Sequence, residues 1–239
     1  MKSNYRYIVK AFMAMAVIAG TTSCDDFLDR EPMSSISPET YYSTAAQLEA
    51  NLNDEYPNVL PSFGQWTYGI FGEDKGTDNQ IEVNANDRYT QDRWKVPHSE
   101  SDNWKFERIY RINFFLSEAL PKFGEDMSGS QNTISGSVAT IKHYIGEMYF
   151  LRAYEYFKKL QLFGDFPIIN QPLADEMEAL REASKRFPRN EVARFIISDL
   201  DKAYAYMSDV DMATTRINKD AAMLVKSRVA LFEATWLQN

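Results

Sequence analysis

The 239-residue chain contains one cysteine, Cys24, and two histidines, His98 and His143. A single thiol excludes an intramolecular disulfide framework and any multi-cysteine metal site. The two imidazoles lie far apart without ligand-like spacing, so no metal centre is expected. Neither has the nearby serine and acid that would suggest a nucleophilic triad. Basic residues are also in deficit: 26 Lys+Arg stand against 34 Asp+Glu, a net charge of −8. That balance excludes the basic stripe a nucleic-acid partner requires, and it opposes adhesion to anionic lipid by charge alone. What remains is ordinary for a folded protein: 44% hydrophobic and 14% aromatic residues, enough for a substantial core.

The N-terminus combines Lys2, Arg6 and Lys10 with the apolar run of residues 11–19 and the small residues Thr21, Thr22 and Ser23. A basic start, a short apolar stretch and a small-residue cleavage zone form an export signal. The run is too short to span a bilayer, which takes about 20 residues. Cys24 at the cleavage point resembles a bacterial lipobox, in which the thiol is acylated and becomes the new N-terminus; Thr21 stands where an aliphatic residue is usual. Residues 1–23 are therefore expected to be removed, leaving residues 24–239 tethered to a membrane by lipid on Cys24. Loss of the three basic residues takes the charge from −8 to −11.

The mature chain reads as helices separated by loops. Residues 25–37 suit an extended stalk. Ser37, Pro38 and Glu39 form a helix start, and the helix is expected to run to about Glu55 with Tyr41, Ala45, Leu48 and Leu52 inward and Pro57 as its stop. A second helix is expected over 101–120, carrying Trp104, Tyr110 or Ile112, Phe115 and Ala119 to the core, and ended by Pro121. After a Gly/Ser/Asn-rich loop at 124–136, the longest helix spans 137–163, closed by Gly164 as a left-handed cap and by Pro167. Arg152 falls in phase with its apolar residues, which predicts a buried structural arginine paired with a helix acid or carbonyls. Residues 170–187 read as a polar linker, and 188–207 as a helix with Val192, Phe195, Ile196, Leu200, Ala203 and Tyr206 inward. Asn218 caps a last helix, still strongly amphipathic at Asn239, as in a chain cut near a helix end.

Between Pro57 and Ser101 periodicity disappears. An irregular segment of that length inside a compact domain is uncommon unless it serves binding. It carries Trp66, Tyr68, Tyr89 and Trp94 beside Asp74, Asp78, Asn79, Arg88 and Arg93. Sugars present apolar ring faces and many hydroxyls, so their sites combine aromatic platforms with planar polar groups. Trp66, Asp74, Asp78, Asn79, Arg88 and Trp94 are the expected ligand contacts, Trp94 as the stacking platform and Asp78 with Asn79 as the hydroxyl-binding pair. The alternative role for these aromatics is to anchor the loop on the helices.

Three blocks carry a family resemblance. Glu147–Phe157 followed by Leu162–Ile168, then Arg186, Val192, Ile196, Asp199, Leu200 and Ala203, then Arg216–Ala222 through Arg228–Trp236 are similar to the signature segments of the SusD/RagB family. Cys24–Asp29 and Trp104 with Ile112 and Asn113 resemble its lipoprotein start and early helix motif. The resemblance implies an all-α fold of tetratricopeptide-like helical pairs, with 102–239 as helical scaffold and 57–101 as a ligand-binding insertion. It implies an outer-membrane lipoprotein facing the cell exterior that binds an oligosaccharide or polysaccharide, or a similar nutrient, and delivers it to a SusC-type TonB-dependent transporter. No cofactor and no catalysis are implied, and members are roughly twice this length. No repeat near 34 residues is visible in the sequence, so the pairing rests on the resemblance alone. Two other functions compete with this one: a glycoside hydrolase, which needs two carboxylates facing across a sugar and for which no motif proposes a pair, and a helical adaptor that binds protein only.

Overall fold

The computed structural model describes residues 41–61, 103–124, 126–208 and 215–238. Six helices occur among them: α1 (Ala45–Val59), α2 (Glu107–Phe123), α3 (Val138–Phe163), α4 (Met177–Ala183), α5 (Arg189–Tyr206) and α6 (Lys219–Leu237). Extended pairing among the described residues is confined to two isolated bridges, Thr44 with Ser135 and Phe166 with Phe187.

The centre is α3. It packs on α1, α2, α5 and, at its margin, α6. A helix surrounded by partners must be apolar on nearly every face. Besides the expected stripe (Ile141, Ile145, Met148, Tyr149, Arg152, Tyr156, Leu160), α3 buries Phe150, Leu151, Ala153 and Phe157. Antiparallel neighbours follow from pairs read along the helices. Arg152 meets Asp199 while His143 meets Ser208, which sets α5 against α3. Lys226 meets Asp201 and Arg189 meets Glu233, which sets α6 against α5. Arg108 faces Glu155 and Asn113 faces Arg152, which sets α2 against α3. These are the expected tetratricopeptide-like pairs of an all-α fold.

Gly146 is the point of closest approach between α3 and α5. A Cβ there would lie 2.9 Å from the Ala203 carbonyl oxygen and from the Met207 amide nitrogen. Both are backbone atoms that cannot swing aside. At the far end of α3, Gly164 adopts φ 68°, the positive region expected of the cap, and its N–H donates to the Leu160 carbonyl.

Several boundaries differ from the sequence reading. Helix α1 begins at Ala45, not at the expected start of residues 37–39, which lie outside the described residues. Its cap is Thr44: the hydroxyl accepts from the Gln47 backbone N–H and the Gln47 side-chain Oε1 accepts from the Thr44 N–H, a reciprocal capping box. Tyr41 therefore precedes the helix, and Tyr42 is the more deeply buried of the two. Proline does not end α1 or α2. Pro57 and Pro121 each sit two residues before a helix end, because buried Val59 and Phe123 draw the final turn onto the core. Helix α2 starts at Glu107, so Trp104 reaches the core from the segment before it, and Ile112 rather than Tyr110 faces inward. The linker 170–187 contains α4, too short and too exposed to give a periodic signal. Phe195 is only half-buried.

Candidate functional site

The sequence-predicted ligand residues Trp66, Asp74, Asp78, Asn79, Arg88 and Trp94 lie outside the described residues, as does Cys24. The structure describes the two flanks of that stretch, Val59 and Asn103. They meet consecutive residues of α3. The Lys158 ammonium donates to the Val59 carbonyl at 2.9 Å, and the Lys159 ammonium donates to the Asn103 carbonyl at 2.7 Å. Glu155, one turn earlier, holds both lysines, at 2.6 and 3.2 Å. Helical spacing places Glu155 and Lys159 on one face, with the carboxylate N-terminal to the cation as the favourable order requires.

Beside these contacts lies an apolar groove of about 320 Å³ between the start of α2 and the segment running into α4. Phe106, Ile109, Tyr110, Ile169 and Leu180 line it, with Glu107, Gln171 and Asp175 as polar groups. A second hollow of about 260 Å³ continues it past Trp104, Pro167 and Ala183. The aromatic wall is locked by packing. Phe106 stacks on Phe166 at 5.2 Å, while Trp104 meets Phe163 and Phe166 edge-on at 4.8 and 4.9 Å. The Arg186 guanidinium covers Trp104 at 4.6 Å. Trp104 is thus an anchor, as its sequence position suggested, whereas Tyr110 is half exposed.

The groove wall at 166–170 is pinned from below. Ile169 accepts from the Asn113 amide at 2.9 Å and from the Tyr156 hydroxyl at 3.0 Å, and its own N–H donates back to that hydroxyl at 2.8 Å. Arg152 donates to the Asn170 carbonyl at 3.1 Å, to Asn113 Oδ1 at 2.9 Å, and through Nε and Nη2 to Asp199 at 2.6 and 2.8 Å. Burial by itself would lower the Arg152 pKa, but the hydrogen bonds and charge of Asp199 outweigh it and hold it above its ordinary value. Burial raises Tyr149, which lies under this guanidinium, to about 12. The expected buried arginine with an acid and a carbonyl is therefore found, and its acid is Asp199 of α5.

A second buried network closes the other end of α3. Glu147 accepts from Tyr56 at 2.6 Å and from Arg216 Nε and Nη2, both at 2.7 Å. Burial and then the Glu147 charge push the Tyr56 hydroxyl well above its usual range. His143 Nδ1 accepts from the Ser208 N–H at 3.2 Å, which leaves Nε2 as the protonated nitrogen facing the Ile217 carbonyl and Glu147, both at 3.0 Å. His143 is accordingly a buried structural residue.

Antiparallel helical pairs packed around one central helix, with a buried arginine–aspartate pair at their core, define a tetratricopeptide-like helical scaffold. A family model described as "Starch-binding associating with outer membrane" (SusD-like) matches residues 26–231, and the chain belongs to this SusD-like family. It is 25% identical over 233 residues to SusD-like protein P25 of Formosa agariphila, covering 90% of this chain and 41% of that one. With SusD-like protein P2 of the same organism it shares 26% identity over 238 residues, 95% of this chain and 43% of the relative. The chain thus spans about two-fifths of the length of these curated relatives. Among solved structures, a SusD-like carbohydrate binding protein from Bacteroides vulgatus superposes with a TM-score of 0.54 at 16% identity, over 82% of this chain and 43% of that one. A SusD-like protein from Bacteroides fragilis gives 0.52 at 20% identity, over 85% and 38%. These likenesses establish the fold.

Proposed function

We propose that the protein is a cell-surface lipoprotein that captures a glycan, or a similar nutrient, and passes it to a SusC-type TonB-dependent transporter in the outer membrane. The observation that carries this reading is the family match across residues 26–231. The name of the Bacteroides vulgatus neighbour, a carbohydrate binding protein, points the same way. In this reading the helical body meets the transporter, and the segment rooted at Val59 and Asn103 carries the ligand. Trp66 and Trp94 stack on sugar rings, while Asp74, Asp78, Asn79 and Arg88 bind hydroxyls. Recognition is by shape and hydrogen bonding without bond cleavage, and no cofactor takes part.

Affinity electrophoresis of the full chain in mild detergent, through gels containing a panel of polysaccharides, tests the capture role. Retardation by at least one glycan with no reducing sugar released is expected. Released products would make the protein a hydrolase instead, and migration unaffected by any glycan would favour a protein-only adaptor.

Anchoring is tested separately. Cys24→Ala is expected to move the protein from the membrane fraction to the soluble fraction, with glycan retardation unchanged. A variant still sedimenting with membranes after a high-salt wash would rule out acylation of Cys24 as the tether.

A further inference from the structure

On the other side of Glu107 from the apolar groove lies a second, polar basin of about 470 Å³. Its walls carry Lys105, Arg108, Lys158 and Lys159 against two carboxylates, Glu107 and Glu155. This is a local excess of positive charge on a chain whose net charge is −8. The carboxylate of Glu155 is already engaged by Lys158 and Lys159 at 2.6 and 3.2 Å. Arg108 stands 3.9 Å from it, beyond hydrogen-bond distance, with its side chain 45% exposed. Among the described residues this guanidinium donates no hydrogen bond, so it lines the basin with its donors held only by a long ion pair to Glu155. A guanidinium fork matches an oxyanion with two parallel N–H donors, and the neighbouring lysines add point charges. Backbone carbonyls fix Lys158 and Lys159 in place, so half of the cationic wall is preorganised.

We propose that this basin receives an anionic group of the captured glycan, the carboxylate of a uronic acid or a sulfate ester. The inference rests on the glycan-capture reading above and narrows it to acidic glycans. Groove and basin share Glu107 as their divide. One chain can therefore lay an apolar sugar face along Phe106 and Tyr110 and place its acid between Arg108 and Lys105. A ring hydroxyl, and not the acid, then meets Glu107. Contacts between charges near a surface weaken as salt rises, whereas stacking does not.

The test is titration calorimetry of the full chain in mild detergent with three probes: oligogalacturonate for the carboxylate, a sulfated galactan oligosaccharide for the sulfate, and a neutral β-glucan oligosaccharide. At least one acidic probe is expected to bind more tightly than the neutral one. Its affinity should fall about tenfold or more in Lys105→Gln/Arg108→Gln, and fall again as salt is raised, with the neutral probe unaffected. Whichever acidic probe responds identifies the source of the anion. The single variant Arg108→Gln, at an exposed position, repeats the test should the double variant lose its helical circular dichroism. Equal binding of acidic and neutral probes, unmoved by the substitutions, would overturn the basin and leave glycan capture standing. Binding of the neutral probe alone would do the same, and binding of none of the three would overturn both.

Discussion

Asp199→Ala is expected to cost about 3–5 kcal/mol of folding stability, the range found when one partner of a buried ion pair is removed. Arg152 is 3% exposed and Asp199 is not exposed at all, so the substitution leaves a guanidinium in the interior without its counter-charge. The guanidinium cannot escape by losing its proton, since its ordinary pKa is already beyond the physiological range. Water has little access, and the remaining acceptors, Asn113 Oδ1 and the Asn170 carbonyl, are neutral. A loss of that size is a large part of the 5–15 kcal/mol that typically separates folded from unfolded chains. Urea denaturation followed by circular dichroism measures it. The pair Arg152→Met/Asp199→Leu is expected to recover much of the loss, because neither charge then remains to be buried. A midpoint for Asp199→Ala within about 1 kcal/mol of the parent, on the scale of an exposed pair, would show that the pair is not the centre of the fold.

Glu147→Ala is expected to be comparably costly, about 3–5 kcal/mol, with a more local signature. The carboxylate is fully buried and joins three parts of the chain: Tyr56 of α1, His143 of α3 and Arg216 ahead of α6. Its removal strands a guanidinium that also touches Glu49 and Asn53, which are more exposed and cannot replace two hydrogen bonds of 2.7 Å. Hydrogen exchange should show the first turn of α6 opening before α3 and α5 in the variant. Uniform protection across all three helices would rule out the local role. Glu147→Gln separates charge from shape. Tyr56 keeps its burial but loses the neighbouring negative charge, so its raised pKa is expected to fall part of the way toward the ordinary tyrosine value in an ultraviolet pH titration. The sign follows from linkage. A hydroxyl whose pKa is raised in the folded state contributes stability that is complete below the unfolded value, about 10, and lost as pH rises above it. The parent should therefore weaken more steeply than the Gln variant in alkali.

The helices were legible because their apolar residues recur at helical spacing, and the motif blocks were legible because each residue in them has a fixed structural task. Asn113 and Tyr156 hold Ile169, Asp199 holds Arg152, Arg216 holds Glu147 and Asn218 accepts from the Ala221 amide. Such residues reveal the scaffold, not the ligand. At Pro57 and Pro121 local propensity says stop, but buried Val59 and Phe123 hold α1 and α2 past them. The Thr44–Gln47 capping box was present in the sequence as Thr-x-x-Gln, a signal that points to the correct start. Nothing local could reveal that Lys158 and Lys159 gather Val59 and Asn103. That convergence joins residues 99 and 56 positions apart, and only the tertiary fold brings them together. The aromatic and polar residues chosen between 57 and 101 rest on chemistry alone, without a periodic pattern to orient them.

The anchoring of Val59 and Asn103 on one turn of α3 has an evolutionary consequence. When the ends of a loop are fixed by the scaffold, doubling its length adds only about 0.6 kcal/mol of closure entropy. Residues can then be inserted, deleted or exchanged between the two anchors while the Arg152–Asp199 and Glu147–Arg216 centres remain undisturbed. The stretch between the two anchors can therefore change at little thermodynamic risk to the helical body. For protein engineering the same two lysines mark the splice points at which a segment from a relative could be grafted without disturbing the helices.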